Sequence, residues 1–147
     1  MIETQNQLNQ TFCDNFVAYS RAHIAHINVV GRNFYSDHKL LGKIYEYLQG
    51  NIDSLGEMVR SVGAFVPVNL TSIVVDAVIE EDAVTGTADD MLDSIRDTLA
   101  QLADSYRLLS EVASDDEAEE VENFAQEQIL AINKYIWQLD ATLLPEA

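Results

Sequence analysis

The chain has 147 residues, 48% of them hydrophobic, with 8 basic against 25 acidic residues and a formal charge of −17. A chain of this length buries roughly 70% of its unfolded surface, so it can hold one core without disulfide staples, and wholesale disorder is excluded. So negative a surface repels phosphate backbones, which makes DNA an unlikely partner, and it concentrates cations; solubility alone is its plainest use.

Only 6 Gly and 2 Pro are present, too few for an all-β chain full of tight turns. No apolar run approaches the ~18 residues of a membrane span. The opening stretch has neither a basic nor an apolar signal segment. The single Cys13 cannot pair within the chain, which fits a reducing cytoplasm. The sequence therefore predicts one cytoplasmic domain over residues 1–147, with no membrane contact.

Leu8, Phe12, Phe16, Tyr19, His23, His26 and Val30 recur every three or four residues. That spacing predicts a helix from about residue 4 to 30 with this stripe as its inner face. Gly31 is its stop, and Asn33 is placed to cap the next helix. The second helix is the most regular. Phe34, His38, Leu41, Tyr45, Leu48, Ile52, Leu55, Val59 and Val62 alternate steps of four and three, and Gly63 ends the run. Such a repeat marks a bundle helix packed at a shallow angle.

Residues 63–87 break the pattern, with Pro67 and Gly86 as punctuation. The β-branched stretch Ser72–Ile79 could read as a strand, but a lone strand has no partner, so a short helix or turn is expected. A connector this long crosses from one end of a bundle to the other. The third long helix carries Ala88, Leu92, Ile95, Leu99, Leu102, Tyr106 and Leu109, with Thr85 or Thr87 as cap. The fourth carries Ala118, Val121, Ala125, Ile129, Ile132, Ile136, Leu139 and Leu143, with Pro145 beyond its end. Ser114 or Asp115 is expected to cap it, and Ser114 with Glu117 has capping-box spacing. The acidic residues Asp115, Asp116, Glu117, Glu119 and Glu120 then fall in its first turns, where the helix dipole favours them.

Neither a phosphate loop, a nucleophile elbow nor paired cysteines occur, and Cys13 reads as a buried, inert thiol. Histidines and carboxylates remain as metal-binding candidates. No Glu-x-x-His occurs, so the in-bundle carboxylate di-iron arrangement is not available. Asp53 and Glu57, four apart on the second helix, share a face that lies off its apolar stripe. His38 stands fifteen residues earlier, ~22 Å along the axis. One chain thus cannot place His38 and Asp53 on one metal. Either the two pairs serve different purposes, or a second copy in an antiparallel two-fold pairing brings its Asp53 and Glu57 to the first copy's His26 and His38. A structural reading is open too: stripe histidines are often hydrogen-bonded core residues, and an off-stripe acidic pair is often only solvated.

The stretch His26-Ile-Asn-Val-Val-Gly31-Arg-Asn-Phe34-Tyr-Ser-Asp-His38 resembles the passage between the first two helices of the Dps family, the mini-ferritins. Asp53-x-x-x-Glu57, Arg60, Gly63, the connector with Pro67 and Glu80-Glu81, and Lys134-x-x-Trp137-x-Leu139 fall where that family has their counterparts. The resemblance implies an all-α, ferritin-like four-helix bundle whose long crossover connector carries a short helix. It implies a shell of twelve subunits with an iron site at each two-fold interface, His26 and His38 from one chain and Asp53 and Glu57 from the other. The implied activity is a ferroxidase: Fe(II) oxidised by hydrogen peroxide, with ferric iron stored inside and oxidative damage averted. The acidic residues Asp115, Asp116, Glu119 and Glu120, repeated around a symmetry axis, would form a cation entrance, although capping and solubility account for them as well. Gly42 stands where the family often has Asp, Ile27 where it has Trp, and no Lys or Arg precedes Arg21. The first two differences keep open a shell protein with a degenerate metal site; the third counts against a DNA-coating role.

Overall fold

The computed structural model describes residues 1–145, whose regular elements are all helices, with no strand among them. Helices α1 (Ile2–Asn28), α2 (Phe34–Ser61), α4 (Ala88–Asp115) and α5 (Glu119–Leu143) form the bundle, and α3 (Leu70–Asp76) lies in the connector. The β-branched stretch thus splits: its first part is α3, capped by the Asn69 side chain accepting from the Ser72 N–H at 2.8 Å, and Ala77 returns to extended backbone. No helix among the described residues is long and apolar enough to cross a membrane.

Short turns make α1 antiparallel to α2 and α4 antiparallel to α5. Contacts between α1 and α4 also run antiparallel, from Thr4 against Val112 and Asp116 at one end to Arg21 against Thr98 and Ser94 further along. Helices α2 and α4 are therefore parallel, and only a connector spanning the bundle's length can join them. Tyr47 and Asn51 on α2 both donate to the Gln128 amide oxygen on α5, at 2.6 and 2.9 Å, closing the fourth side with polar contacts.

The core is built from Leu41, Ile44, Leu48, Leu55 and Val59 of α2, the complete Leu92–Leu109 stripe of α4, and Val121, Ala125, Ile132 and Leu139 of α5. Helix α1 differs from the expectation. Leu8 and Phe12 of the expected stripe are buried, but further along the innermost positions are Val17, Ala18, Ala22 and Ala25, whereas Phe16, Tyr19, His23 and His26 are half-buried and Val30 is exposed. Small alanines let α1 approach its neighbours closely, which pushes the larger aromatic stripe to the bundle's flank.

The expected cap of the last helix is also corrected. Helix α4 runs on through Ser114 and Asp115, α5 starts from Ala118 without a side-chain cap, and the capping box is at Thr87 and Asp90 instead. The turn closes through Glu117 N–H to Ser114 C=O and Ala118 N–H to Ala113 C=O, and it holds Glu117 at φ 58°. Asp115 and Asp116 consequently end α4, and only Glu119, Glu120 and Glu122 stand in the first turn of α5. Asp116 is offset from that unfavourable helix end by the Thr4 hydroxyl, which donates to it at 2.5 Å.

Two buried charged residues of α1 anchor the connector. The Asp14 carboxylate accepts from the N–H groups of Val78 and Ile79 at 2.7 and 3.1 Å. The Arg21 guanidinium donates to the Asp82 carbonyl at 2.6 Å, with further bonds to Ser94 and Thr98.

Candidate metal centre

His26 ends α1 and His38 begins α2, so the intervening turn folds one imidazole over the other. The rings stack with centroids 3.8 Å apart and planes 16° apart. Each ring also bonds the other's main chain: His26 Nδ1 lies 2.6 Å from the His38 carbonyl oxygen, and His38 Nδ1 lies 2.6 Å from the His26 carbonyl oxygen. A carbonyl only accepts, so both Nδ1 atoms carry the proton and donate. In the neutral rings the lone pair is then on Nε2, the form in which imidazole binds metals, with the second nitrogen fixed by a hydrogen bond. Both side chains are half-buried, so those nitrogens are held in orientation without being sealed off.

Gly42, one turn beyond His38, is part of this arrangement. A Cβ built there would lie 3.0 Å from Cε1 and 3.2 Å from Nδ1 of His26. The His26 ring thus packs closely over position 42 and would have to shift to admit a side chain there. Sequence reasoning counted Gly42 only as a missing carboxylate; the structure gives it a packing role.

Asp53 and Glu57 are exposed on α2 and flank a shallow groove of about 440 Å³ with Phe12, Ile52, Gly56, Arg60 and Val66. The structure brings His26 to His38 and Asp53 to Glu57, but it does not bring the two pairs together within one chain. Among the described residues no three His, Cys, Asp or Glu side chains converge on a common point. Asp115, Glu119 and Glu120 are exposed at the α4–α5 turn, and the fourth member of that cluster, Asp116, is half-buried. The Thr4 hydroxyl, and then the amino terminus, hold the Asp116 carboxyl below its usual range. Cys13 is buried, and burial, followed by the nearby charges of Asp76 and Asp14, pushes its thiol up to about 12, far from a reactive thiolate.

One feature escaped the sequence reading. The imidazole pair continues into an aromatic stack: Tyr45 of α2 lies 5.0 Å from His26 and stacks face to face on His23 at 3.9 Å and 3°. Tyr19 bonds His23 Nδ1 through its hydroxyl at 3.0 Å. The four-residue step from Tyr19 to His23 was visible in the sequence, but the insertion of Tyr45 from the neighbouring helix was not.

A four-helix bundle with a lengthwise crossover and paired histidines at the first turn defines a class, and the comparisons agree with it. The family described as Ferritin-like domain matches residues 5–144. The DNA protection during starvation protein of Brevibacillus brevis is 27% identical over 92% of this chain and 91% of its own length. That of Helicobacter pylori is 27% identical over 97% and 99%. The crystal structure of a Dps protein from Bacillus brevis superposes with a TM-score of 0.91 at 26% identity, covering 96% of this chain and 95% of that one. Dps from Staphylococcus aureus, at 23% identity, shares the fold with a TM-score of 0.93 over 99% and 98%. The chain belongs to the ferritin-like family, in its Dps branch.

Proposed function

We propose that this chain is the subunit of an iron-binding mini-ferritin, a cytoplasmic shell of twelve copies that oxidises Fe(II) with hydrogen peroxide and stores the ferric product. The observation that carries the reading is the reciprocal bonding of His26 and His38, which holds both rings by Nδ1 and leaves Nε2 of each free to bind a metal. Imidazole nitrogen suits iron, and carboxylates complete its ligand set. Asp53 and Glu57 are exposed and off the core, which suits donation to the histidines of a second copy. Closed symmetric assembly is the usual outcome for identical chains. With glycine at position 42, one iron binds tightly at each site and a second needs excess metal. Glu119, Glu120 and Asp115, repeated around an axis, draw Fe(II) inward, an attraction that added salt weakens.

The relatives from Brevibacillus brevis and Helicobacter pylori are named for DNA protection during starvation. At a charge of −17 this chain achieves that by removing Fe(II) and peroxide together, since it has few cations with which to displace DNA counterions. A shell with a degenerate metal site is the second reading, and Gly42 is the observation that favours it.

Light scattering combined with anaerobic Fe(II) isotherms tests the function. An oligomer is expected, with stoichiometry reduced in both His38→Ala and Glu57→Ala. A monomeric mass removes the intersubunit site. Wild-type stoichiometry and oxidation rate in each variant refute the ligand assignment, whereas tight binding without oxidation selects the second reading. Retention of plasmid by the protein at ~150 mM salt would overturn the statement on DNA.

A further inference from the structure

The lysines of this acidic chain are Lys39, Lys43 and Lys134, and all of them stand near its single tryptophan. Lys39 and Lys43 are one turn apart on α2 and line an open groove of about 430 Å³ with Tyr35, Leu40, Trp137 and Ala141. Lys134 precedes Trp137 by three residues on α5, a spacing that makes them neighbours on the helix surface. The groove lies between α2 and α5, whereas His38 stacks on His26 of α1, so the groove is separate from the imidazole pair.

The charge in the groove is not compensated from within the chain. The ion pairs among the described residues use the amino terminus, Arg96 and Arg107, and none uses a lysine. Of the carboxylates close by in sequence, Asp37 is buried, Asp140 accepts from Arg96 at 2.8 Å, and Glu46 is outside the lining. More distant carboxylates are screened, since the Debye length at physiological salt is about 8 Å. Beside these ammonium groups two flat rings are left open to water: Trp137 is 64% exposed and Tyr35 74%, although large aromatics usually bury most of their area. The Lys39 ammonium lies 5.9 Å from the Tyr35 ring centroid, within cation–π range.

We propose that this groove binds a flat aromatic phosphate of the nucleoside monophosphate class, with its ring against Trp137 and its phosphate between Lys39 and Lys43. A phosphate monoester carries about −1.5 to −2 charges near neutral pH, which matches the two ammonium groups. Every base offers a π-face, so stacking on Trp137 supplies binding that tolerates different bases. The groove's volume falls within the roughly 300–1,000 Å³ of small-molecule sites. Inorganic phosphate lacks the ring and an uncharged nucleoside lacks the anion, so each makes only half of the contacts. A DNA duplex keeps its bases stacked on one another and presents no free face to Trp137, so a mononucleotide site is compatible with weak duplex binding.

Trp137 is the only tryptophan, so its fluorescence reports on the groove directly. The metal-free assembled protein is titrated with adenosine monophosphate, adenosine and inorganic phosphate, each followed by fluorescence and by calorimetry. Adenosine monophosphate is expected to give a saturable change and to bind severalfold more tightly than either fragment. Lys39→Ala and Lys43→Ala are each expected to weaken it severalfold, as is Trp137→Leu, read by calorimetry alone. All three side chains are exposed, so these variants are expected to fold. Arg107→Ala removes an equal charge from an exposed site on α4 and is expected to bind as wild type does. No saturable response to millimolar adenosine monophosphate, equally tight binding of phosphate alone, or an equal loss in Arg107→Ala overturns the proposal. None of these outcomes bears on Fe(II) binding, which is measured separately.

Discussion

Replacing Gly42 by alanine separates two effects that oppose each other. Alanine in a helix interior is about 1 kcal/mol better than glycine, so on propensity alone the substitution stabilises α2. The new methyl, however, would sit 3.0 Å from Cε1 and 3.2 Å from Nδ1 of His26, tight enough that the ring has to give by a few tenths of an ångström. The imidazole must tilt away, and the tilt stretches its 2.6 Å bond to the His38 carbonyl. Such a bond is worth about 1 kcal/mol net, so the two terms nearly cancel in stability. They do not cancel in metal binding, because a ligand's orienting contact is worth about 10–100-fold in affinity. Urea unfolding should therefore place Gly42→Ala close to wild type, while Co(II) or Fe(II) isotherms show a clear loss. A variant stabilised by the full ~1 kcal/mol that binds metal as before would show that the His26 ring does not need the space above Gly42.

Glu117 holds a left-handed conformation at φ 58°, so Glu117→Gly should raise stability by about 1 kcal/mol in thermal or urea unfolding, and no gain would mean that the turn relaxes in solution. Thr87→Ala removes the hydroxyl half of the capping box and should cost about 1 kcal/mol, read as a lower urea midpoint at unchanged slope. The depressed Asp116 carboxyl favours the folded state above its unfolded pKa and loses that contribution as pH falls through the lower folded value. Asp116→Asn should therefore flatten the acid limb of a stability–pH profile, and a profile parallel to wild type would refute the Thr4 contact.

Much of this architecture was legible because bundle helices repeat their apolar residues at a fixed period. The Leu92–Leu109 stripe is buried throughout, and the off-stripe position of Asp53 and Glu57 is observed. The same rule misread α1. There the large residues Phe16, Tyr19 and His23 formed a conspicuous stripe, while the inner face beyond Val17 relies on Ala18, Ala22 and Ala25, too small to stand out. The last turn of α4 was misplaced for a related reason: Ser114 and Asp115 resemble cap residues, yet the turn is closed by main-chain bonds around Glu117, which no residue type announces. At the candidate site, residue types and spacing marked the histidines. The reciprocal carbonyl bonds and the space above Gly42 depend on how two helices meet, and a one-dimensional pattern does not carry that.

The connector is recognised by its main chain. Asp14 takes the N–H groups of residues 78 and 79, and Arg21 takes the carbonyl of residue 82, whereas the side chains of Val78, Glu80 and Asp82 are exposed. The docking instruction is therefore written in α1, and the docked segment needs little more than a peptide backbone and the buried Ile79. Proline is barred at 78 and 79, where it would delete the donor that Asp14 holds. Otherwise the exposed side chains of this strip are open to sequence drift without disturbing the bundle beneath it.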